Sequence, residues 1–359
     1  MKVPFNQITQ HYLDEKPIID ALIQDVLQKG PYIGGSYVQD FEISLVTYHH
    51  ANHALACANG TDALYIALKA LGIGKGDQVL TTAFSWIATA MAISQTGAEP
   101  VFIDVDPTFL QLDLNLAAQK ITSKTKAIAP VYLYGDLSQR SAFIDFAKKH
   151  SLALVEDAAQ VHGLSVTMDQ GLDRHLACFS FYPTKQLGAL GDAGAVLTNN
   201  QELFDKAKRL ANLGAKYPAR DFELIGINSR MDPLQAVVLN HRLQHIDSQL
   251  SKRRDFAAIY NEKLPDEYIK MPFSASHSWY QYVIRKEDRN TILRQLEASE
   301  IGFGIHYEFT LPGTTAYGNQ RGFTVAELAA EQVISIPIDP SLSEVQIHYV
   351  CEVLNDLIS

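Results

Sequence analysis

The apolar positions between residues 59 and 200 follow two alternating patterns. Short continuous apolar runs, such as 152–156, are typical of strands that are buried on both faces. Longer segments, such as 61–71, repeat apolar residues at helical spacing and predict helices. Repeated strand–helix units of this kind predict an α/β fold, with a mostly parallel central sheet sandwiched by helices. The predicted strands are 78–81, 101–104, 127–133, 152–156, 177–182 and 195–198, and the predicted helices are 61–71, 87–96, 138–150 and 202–213.

The pattern changes after residue 226. The elements predicted there are one long helix over 232–264, a strand over 278–285, a helix over 289–299 and a closing helix over 344–357. Pro233 fits the start of the long helix, because the N–H that proline lacks has no partner within a first turn. We therefore predict a large domain over 1–240 and a smaller C-terminal α/β domain over 241–359.

Composition and charge exclude several classes of protein. The chain has 359 residues, of which 47% are hydrophobic and 19% are charged, as is typical of folded globular proteins. Its formal net charge of −10 argues against a nucleic-acid partner, which would require clustered lysine and arginine. No apolar run reaches the ~18–20 residues of a membrane span, and residues 1–7 lack the apolar core of a signal peptide. With only three scattered cysteines, the sequence predicts a cytoplasmic protein without a disulfide framework.

One lysine stands among apolar, small and glycine residues in the segment 180–195. Lys185 follows a predicted strand, and α/β proteins bind their ligands at the carboxyl ends of strands. Desolvation makes an amine a better nucleophile, as a Schiff base requires. Enzymes that use pyridoxal 5'-phosphate (PLP) need such a lysine and an acid that faces the pyridine nitrogen, and Asp157 closes a neighbouring apolar run. A surface lysine and a helix-capping aspartate are the alternative structural roles of these two residues.

A phosphate group requires backbone donors near a helix N-terminus. Gly60 and Thr61 open a predicted helix, where free N–H groups and the helix dipole favour an anion. Ser180 and Asn228 are further candidate phosphate ligands. An ordinary helix cap is the alternative interpretation of the residues around Gly60.

Two further residues suit the aromatic ring of the cofactor. Gln160, three residues after Asp157, is placed to reach the phenolic oxygen, and Trp86 begins a predicted helix where it offers a flat face. A core tryptophan is the alternative. The histidines at 49–53 and 241–245 lack partner acids or cysteines, so no metal site is predicted.

These motifs resemble one known family. The segments 58–64, 155–163, 179–195 and 226–232 are similar to the nucleotide-sugar aminotransferases of the DegT/StrS group, and the resemblance extends from the N-terminal segment to the last helix. It implies PLP fold type I, the aspartate aminotransferase-like architecture. It also implies that Lys185 carries the cofactor, that Asp157 pairs with the pyridine nitrogen and that Gln160 contacts the ring hydroxyl.

The resemblance also implies the remaining cofactor contacts and the oligomeric state. Gly60, Thr61 and Ser180 would bind the phosphate, and Trp86 would lie over the ring. In the family, the asparagine that matches Asn228 reaches the phosphate of the neighbouring subunit. A homodimer with shared active sites is therefore implied.

Within the family, the segment 181–189 looks most like enzymes that act on 3-keto sugars, such as the dTDP-3-keto-6-deoxyhexose 3-aminotransferases. L-Glutamate would be the amino donor and a nucleotide-linked keto sugar the acceptor. The residues expected to contact the sugar and its diphosphate are Tyr182, Lys216, His306 and Tyr307. Arg230 is one candidate for the donor carboxylate, and Gln186, which replaces a common asparagine, is expected to alter the sugar side.

Several alternatives remain open from the sequence. One is a 4-keto or UDP-sugar aminotransferase of the same family, and another is an aminotransferase for a cyclitol. A PLP-dependent dehydratase is disfavoured, because related sugar deoxygenases place histidine where Lys185 stands. A non-catalytic, regulatory PLP-binding protein is disfavoured by the intact set of Lys185, Asp157 and Gln160.

Overall fold

The computed structural model of the protein describes residues 1–216 and 221–358. Within these ranges the helices are α1 Ile8–Lys29, α2 Ser36–His49, α3 Gly60–Ala70, α4 Ala88–Gln95, α5 Leu114–Gln119, α6 Arg140–Lys149, α7 Gln201–Ala211, α8 Pro233–Leu243, α9 Ile246–Lys263, α10 Arg289–Ala298, α11 Thr324–Gln332 and α12 Glu344–Asn355. The strands are β1 His53–Cys57, β2 Gln78–Thr82, β3 Glu99–Ile103, β4 Thr125–Ala129, β5 Ala153–Asp157, β6 His175–Ser180, β7 Gly194–Thr198, β8 Ala215–Lys216, β9 Asp221–Phe222, β10 Ile269–Lys270, β11 Tyr282–Arg285 and β12 Val333–Ile336.

The large sheet has seven strands in the order β1-β7-β6-β5-β4-β2-β3. Strand β7 runs antiparallel to both of its neighbours, and every other pair in the sheet is parallel. The prediction of a mostly parallel α/β sheet is therefore confirmed. Every residue of β5 is buried, as expected for a strand with helices over both faces.

Alternate residues of β5 enter two different hydrophobic cores. Leu154 packs in the core on one face, together with residues of α2, α6 and α8, whereas Val155 packs on the other face with residues of α3, α4 and α7. This alternation follows from the two-residue period of a strand. The sheet is thereby sandwiched between two layers of helices, and the carboxyl ends of its parallel strands form one edge.

A second sheet of three antiparallel strands, β10-β11-β12, lies in the C-terminal part of the chain. Its core joins Ile284 and Ile334 to Tyr260 of α9 and Val350 of α12. The domain boundary predicted at residue 240 falls inside α8 and stays a prediction.

Three predicted elements differ from the structure for identifiable backbone reasons. The single helix predicted over 232–264 is divided into α8 and α9, because α8 closes with short-range bonds from the N–H groups of Gln244 and His245. The strand predicted over 127–133 ends before Pro130, which has no N–H for a ladder. The strand predicted over 278–285 begins only at Tyr282, because Trp279 has a φ of 52°.

The N-terminal helices α1 and α2, the helix α11 and the strand β12 were not predicted. Helix α1 contains Pro17 and an irregular set of polar positions, so its helical periodicity is weak. Across 1–216 and 221–358, no helix combines the length and the hydropathy that crossing a membrane requires.

Candidate active site

Lys185 lies in the loop that follows β6, at the carboxyl edge of the large sheet. Its backbone N–H donates a hydrogen bond of 2.8 Å to Tyr182 O, and its side chain is half-buried. Asp157 ends the neighbouring strand β5 and pairs with Cys178 of β6. The parallel pairing therefore brings the lysine loop and the aspartate to the same edge.

Asp157 is buried and has two hydrogen-bond donors. Thr89 Oγ1 donates a bond of 2.6 Å to its Oδ2, and the N–H of Ala159 donates one of 3.2 Å to its Oδ1. Burial raises the pKa of the Asp157 carboxyl, while these two bonds and the positive charge of Lys185 act in the opposite direction. Overall the pKa of Asp157 is raised, so a further cationic partner would stabilise its carboxylate form.

Gln160 is held between two tyrosines. Its Oε1 accepts a hydrogen bond of 2.6 Å from the N–H of Tyr134, and its Nε2 donates one of 3.4 Å to the hydroxyl of Tyr307. Trp86 lies beside Tyr307, with 5.9 Å between the ring centroids, and is more than half exposed. Gln160, Tyr307 and Trp86 therefore form one continuous group.

A close backbone approach joins β6 to the N-terminus of α3. A Cβ atom on Gly60 would lie 2.5 Å from Cβ of Ser180, so only glycine fits there without displacement. Asn59 caps the helix by accepting a bond of 2.8 Å from the N–H of Asp62. By helix geometry, the N–H groups of Gly60 and Thr61 remain directed out of the helix end. Together with the Ser180 hydroxyl, they form a cradle that suits an anion.

Two imidazoles near Lys185 are held in the neutral form. Burial and the charge of Lys185 lower the pKa of His162 to about 3 and that of His306 to about 4. His162 Nε2 lies 2.8 Å from Ser180 O, and His306 Nδ1 lies 2.8 Å from Ser335 Oγ. Both imidazoles are therefore uncharged at neutral pH.

Three of the predicted contacts lie elsewhere. Lys216 forms an ion pair of 2.6 Å with Glu223, and Lys216 and Arg230 line a second, separate cavity of about 640 Å³. Asn228 is exposed and forms a β-bridge with Asn212. The cavity that Lys216 and Arg230 line does not include Lys185.

Tyr182 and Gln186 flank the lysine but differ in their surroundings. Tyr182 is half exposed, as a substrate contact requires. Gln186 is buried, and its Nε2 donates bonds of 2.9 Å to both O and Oγ of Ser278. Its amide holds the loop around Ser278, so we expect no direct contact between Gln186 and the sugar.

Sequence reasoning missed Thr89, Tyr134 and Tyr280. Thr89 bonds Asp157, Tyr134 bonds Gln160, and the ring of Tyr280 lies beneath the Lys185 amine. None of the three carries a local signal, since each acquires its role from a partner distant in sequence. His162 lay inside a quoted motif, but only the structure shows its bond to Ser180.

The residues present fit PLP. The buried Asp157 carboxyl suits a protonated pyridine nitrogen, and the cradle of Gly60, Thr61 and Ser180 suits a phosphate. Lys185 supplies an amine near Asp157, since its charge acts on that carboxyl. Among residues 1–216 and 221–358, no cluster of three or more histidine, cysteine or acidic side chains could hold a metal ion.

Comparison with known proteins agrees with this chemistry. A sequence model of the DegT/DnrJ/EryC1/StrS aminotransferase family matches residues 14–355. A pleiotropic regulatory protein of Geobacillus stearothermophilus is 37% identical, covering 98% of this chain and 97% of its own. The UDP-2-acetamido-2-deoxy-3-oxo-D-glucuronate aminotransferase of Pseudomonas aeruginosa is 36% identical over 95% of this chain and 96% of its own. The dTDP-3-amino-3,4,6-trideoxy-alpha-D-glucose transaminase of Streptomyces venezuelae is 36% identical over 96% of this chain and 93% of its own.

A solved structure shares the fold over nearly the whole chain. The crystal structure of S. venezuelae DesV in complex with a ketimine intermediate superposes with a TM-score of 0.93 at 34% identity. The match covers 99% of this chain and 98% of that one. The expectation of an aspartate aminotransferase-like fold is therefore confirmed.

Proposed function

The chain belongs to the DegT/DnrJ/EryC1/StrS aminotransferase family, and on that premise we propose that it transfers the amino group of L-glutamate to a nucleotide-linked keto deoxysugar. The acceptor that we propose is a dTDP-3-keto-6-deoxyhexose, which yields the 3-amino sugar for surface polysaccharide or glycoside biosynthesis. The similarity to the S. venezuelae dTDP-sugar transaminase supports this choice. A UDP-sugar acceptor is the second candidate, because the similarity to the P. aeruginosa enzyme is equally high.

The observation that carries the proposal is the proximity of Lys185 to the buried Asp157, whose pKa the charge of the lysine lowers. PLP, when bound, supplies an electron sink that stabilises negative charge at the substrate carbon. Lys185 Nζ would hold the cofactor, accept the α-proton of the donor once free, and return a proton on the same face. Asp157 would keep the pyridine nitrogen protonated, and Thr89 would hold that carboxylate in place.

The remaining side chains would orient the ligands and exclude water. Gln160, fixed by Tyr134 and Tyr307, would present its amide to the ring hydroxyl. Trp86 would cover a ring face, and the Gly60 and Thr61 N–H groups with Ser180 would bind the phosphate. Neutral His306, with Tyr307, Tyr182 and Lys216, would contact the sugar and its diphosphate.

The half-reaction with glutamate tests the activity. The purified protein should lose its yellow absorbance on incubation with L-glutamate and release an equal amount of 2-oxoglutarate. The variant Lys185→Ala should do neither, although it binds PLP noncovalently. A panel of 3-keto and 4-keto dTDP- and UDP-sugars, with product NMR, then identifies the acceptor. Full turnover by Lys185→Ala would reject the assignment.

We also propose a homodimer with shared active sites. Lys216 lines a cavity that does not include Lys185, and Asn228 is exposed, so a second subunit would place both residues at the lysine of its partner. Exposed apolar side chains near these segments, including Ile33, Phe222 and Ile225, suit a subunit interface.

Mixed dimers test this sharing. Lys185→Ala and Asn228→Ala should each be inactive or strongly impaired alone. Unfolding the two together and refolding them should recover part of the wild-type activity, since a mixed dimer contains one intact site. Two variants that fail to complement, or a monomer by light scattering, would contradict the proposal.

We further propose a cytoplasmic location. Cys57, Cys178 and Cys351 are buried free thiols, as expected of a protein that folds in a reducing compartment. Fractionation of the producing cells, with detection of the protein in the cytosolic fraction, tests this proposal.

A further inference from the structure

Tyr280 is the aromatic side chain that Lys185 contacts. The Nζ atom of Lys185 lies 4.4 Å from the centroid of the Tyr280 ring. An ammonium group within about 6 Å of a tyrosine ring face is attracted by the ring quadrupole. The Tyr280 hydroxyl also lies 3.4 Å from Oγ1 of Thr184, the residue before the lysine. The ring and its hydroxyl therefore both contact the lysine segment.

The backbone of Tyr280 is fixed by groups other than the lysine. Its N–H donates a hydrogen bond of 3.0 Å to Tyr134 O. Arg253 Nη1 donates bonds of 3.1 Å and 3.5 Å to the carbonyl oxygens of Trp279 and Tyr280. Tyr134 in turn donates to Gln160, so the ring of Tyr280 and the amide of Gln160 are held through one residue. The Tyr280 ring is thus held in place, and the flexible side chain of Lys185 can pack against it.

We propose that Tyr280 is a positioning residue for Lys185, and that its ring face receives the free amine once that amine has accepted a proton and become an ammonium. This inference rests on the proposed function, in which the same amine binds PLP and moves the donor's proton. A lysine side chain has many accessible rotamers. A contact that keeps the amine near the reacting atoms reduces the conformational entropy that is lost each time the amine approaches them again.

The charges around Lys185 are consistent with this role. The titratable groups on which the charge of Lys185 acts are Asp157, His162, His306 and Tyr280, and Tyr307 interacts in turn with Tyr280 and Asp157. The two imidazoles are neutral at pH 7, and Asp157 is engaged by Thr89. A cavity beside the lysine loop is lined by further titratable residues: His11, Glu15, Arg242, Arg253 and Asp339. Among them, the negative charges of the two acids offset the positive charges of the two arginines.

The contact with Lys185 also changes the pKa of the Tyr280 hydroxyl. Burial raises the pKa of Tyr280, but the charge of Lys185 and hydrogen bonds with Thr184, Gln281 and the lysine outweigh it, so the pKa is lowered. A cation beside the ring stabilises the phenolate, just as the ring stabilises the cation.

The test measures how readily the Lys185 amine reacts as the pH changes. Full-length protein freed of cofactor is reductively methylated over a range of pH, and labelling at Lys185 is quantified by peptide mass mapping, with the exposed Lys120 as internal reference. In Tyr280→Leu the midpoint of the Lys185 profile should move to lower pH by about 0.4–0.7 unit, because the ring no longer favours the ammonium. In Tyr280→Phe, which keeps the ring and loses only the hydroxyl, the midpoint should move by less than in Tyr280→Leu. If Lys185 in Tyr280→Leu is labelled to a greater final extent but with the same midpoint, the substitution has changed only the access of the reagent to the amine. That result would overturn the proposal.

A reciprocal measurement covers the case in which Tyr280→Leu does not fold. In Lys185→Met, the phenol of Tyr280 should titrate at higher pH than in the wild type, as followed by ¹³C-tyrosine NMR and assigned with Tyr280→Phe. An unmoved phenol, an unmoved Tyr280→Leu midpoint, or an equal shift in Tyr280→Phe would each reject the role of the ring.

The outcome is separable from the proposed function. If PLP is found attached at Lys185 and the Tyr280→Leu midpoint is unmoved, only the role of Tyr280 fails. If the midpoint moves and PLP is found elsewhere, the contact stands and the proposed function fails.

Discussion

The hydroxyl of Thr89 donates a hydrogen bond of 2.6 Å to Oδ2 of Asp157. The two residues belong to α4 and β5, and both are buried. Burial alone raises the pKa of the carboxyl, and the Thr89 bond opposes that effect because it stabilises the carboxylate. In the proposed function, Thr89 therefore helps to keep Asp157 in the form that pairs with a protonated pyridine nitrogen.

Removal of this hydroxyl should weaken cofactor binding. Thr89→Val keeps the shape of the side chain but loses the donor, and a hydrogen bond to a charged group contributes ~1.5–3 kcal/mol. PLP affinity should fall by about 10- to 100-fold, as measured by absorbance titration of protein freed of cofactor. Thr89→Ser keeps the hydroxyl and should bind nearly as well as the wild type. Equal binding by the valine and serine variants would contradict the role of the bond.

Gly60→Ala should disrupt the phosphate cradle. The new Cβ would lie 2.5 Å from Cβ of Ser180, so the helix end or the end of β6 must shift. PLP affinity should fall at least ~10-fold, because the N–H donors no longer converge. Gly74→Ala is the matched control, since its Cβ would meet only Thr96 O at an ordinary 3.5 Å. Comparable affinity in the two variants would argue against a phosphate site at Gly60.

Gln186 should affect stability rather than substrate choice. Gln186→Leu removes both bonds to Ser278 and leaves buried polar atoms without their donor. The free energy of unfolding in urea should fall by ~1–3 kcal/mol, while the order of preference among keto sugars is retained. Gln119→Leu, at an exposed position, should leave stability nearly unchanged. A changed preference among acceptors in Gln186→Leu would restore a sugar-facing role.

The cofactor-free protein should lose stability as the pH falls from 6.5 to 5. Burial lowers the pKa of His49, His162 and His277 to about 3, whereas an unfolded histidine titrates near ~6.5. Between these values the unfolded chain binds more protons, so acidification favours unfolding. Denaturant unfolding across this pH range measures the slope, and a flat profile would contradict the neutral state of these imidazoles.

One variant isolates a single histidine. His277→Asn keeps an acceptor for the Trp279 N–H, which now bonds Nδ1 at 2.9 Å, but removes the titrating ring. The slope of stability against pH should become shallower by about one proton. His50→Asn, at an exposed left-handed position that asparagine tolerates, should leave the slope unchanged.

The sequence predicted the elements whose periodicity is strong. The all-buried strand β5 and the amphipathic helix α3 were identified within one residue at each end, because their local patterns are unambiguous. Breaks that depend on backbone geometry were missed, such as the end of α8 at Gln244 and the left-handed Trp279.

The residues of the candidate site likewise fall into those that the sequence predicted and those that it did not. Lys185 and Asp157 could be proposed from the sequence, because their residue type and their position after an apolar strand suffice to suggest chemistry. Thr89 and Tyr280 were not found, because a threonine in a helix and a tyrosine in a loop acquire their roles only from distant partners. The contact of Gln186 with Ser278 was not predicted, since adjacency to the lysine in sequence does not decide which way a side chain points.

The central claim is that the ε-amino group of Lys185 binds PLP covalently. Reduction of the purified protein with borohydride, followed by proteolysis and peptide mass mapping, measures this directly. We expect a single phosphopyridoxyl group, located on Lys185 and lost in Lys185→Ala. A map without the group, or one that places it on another lysine, would contradict the account.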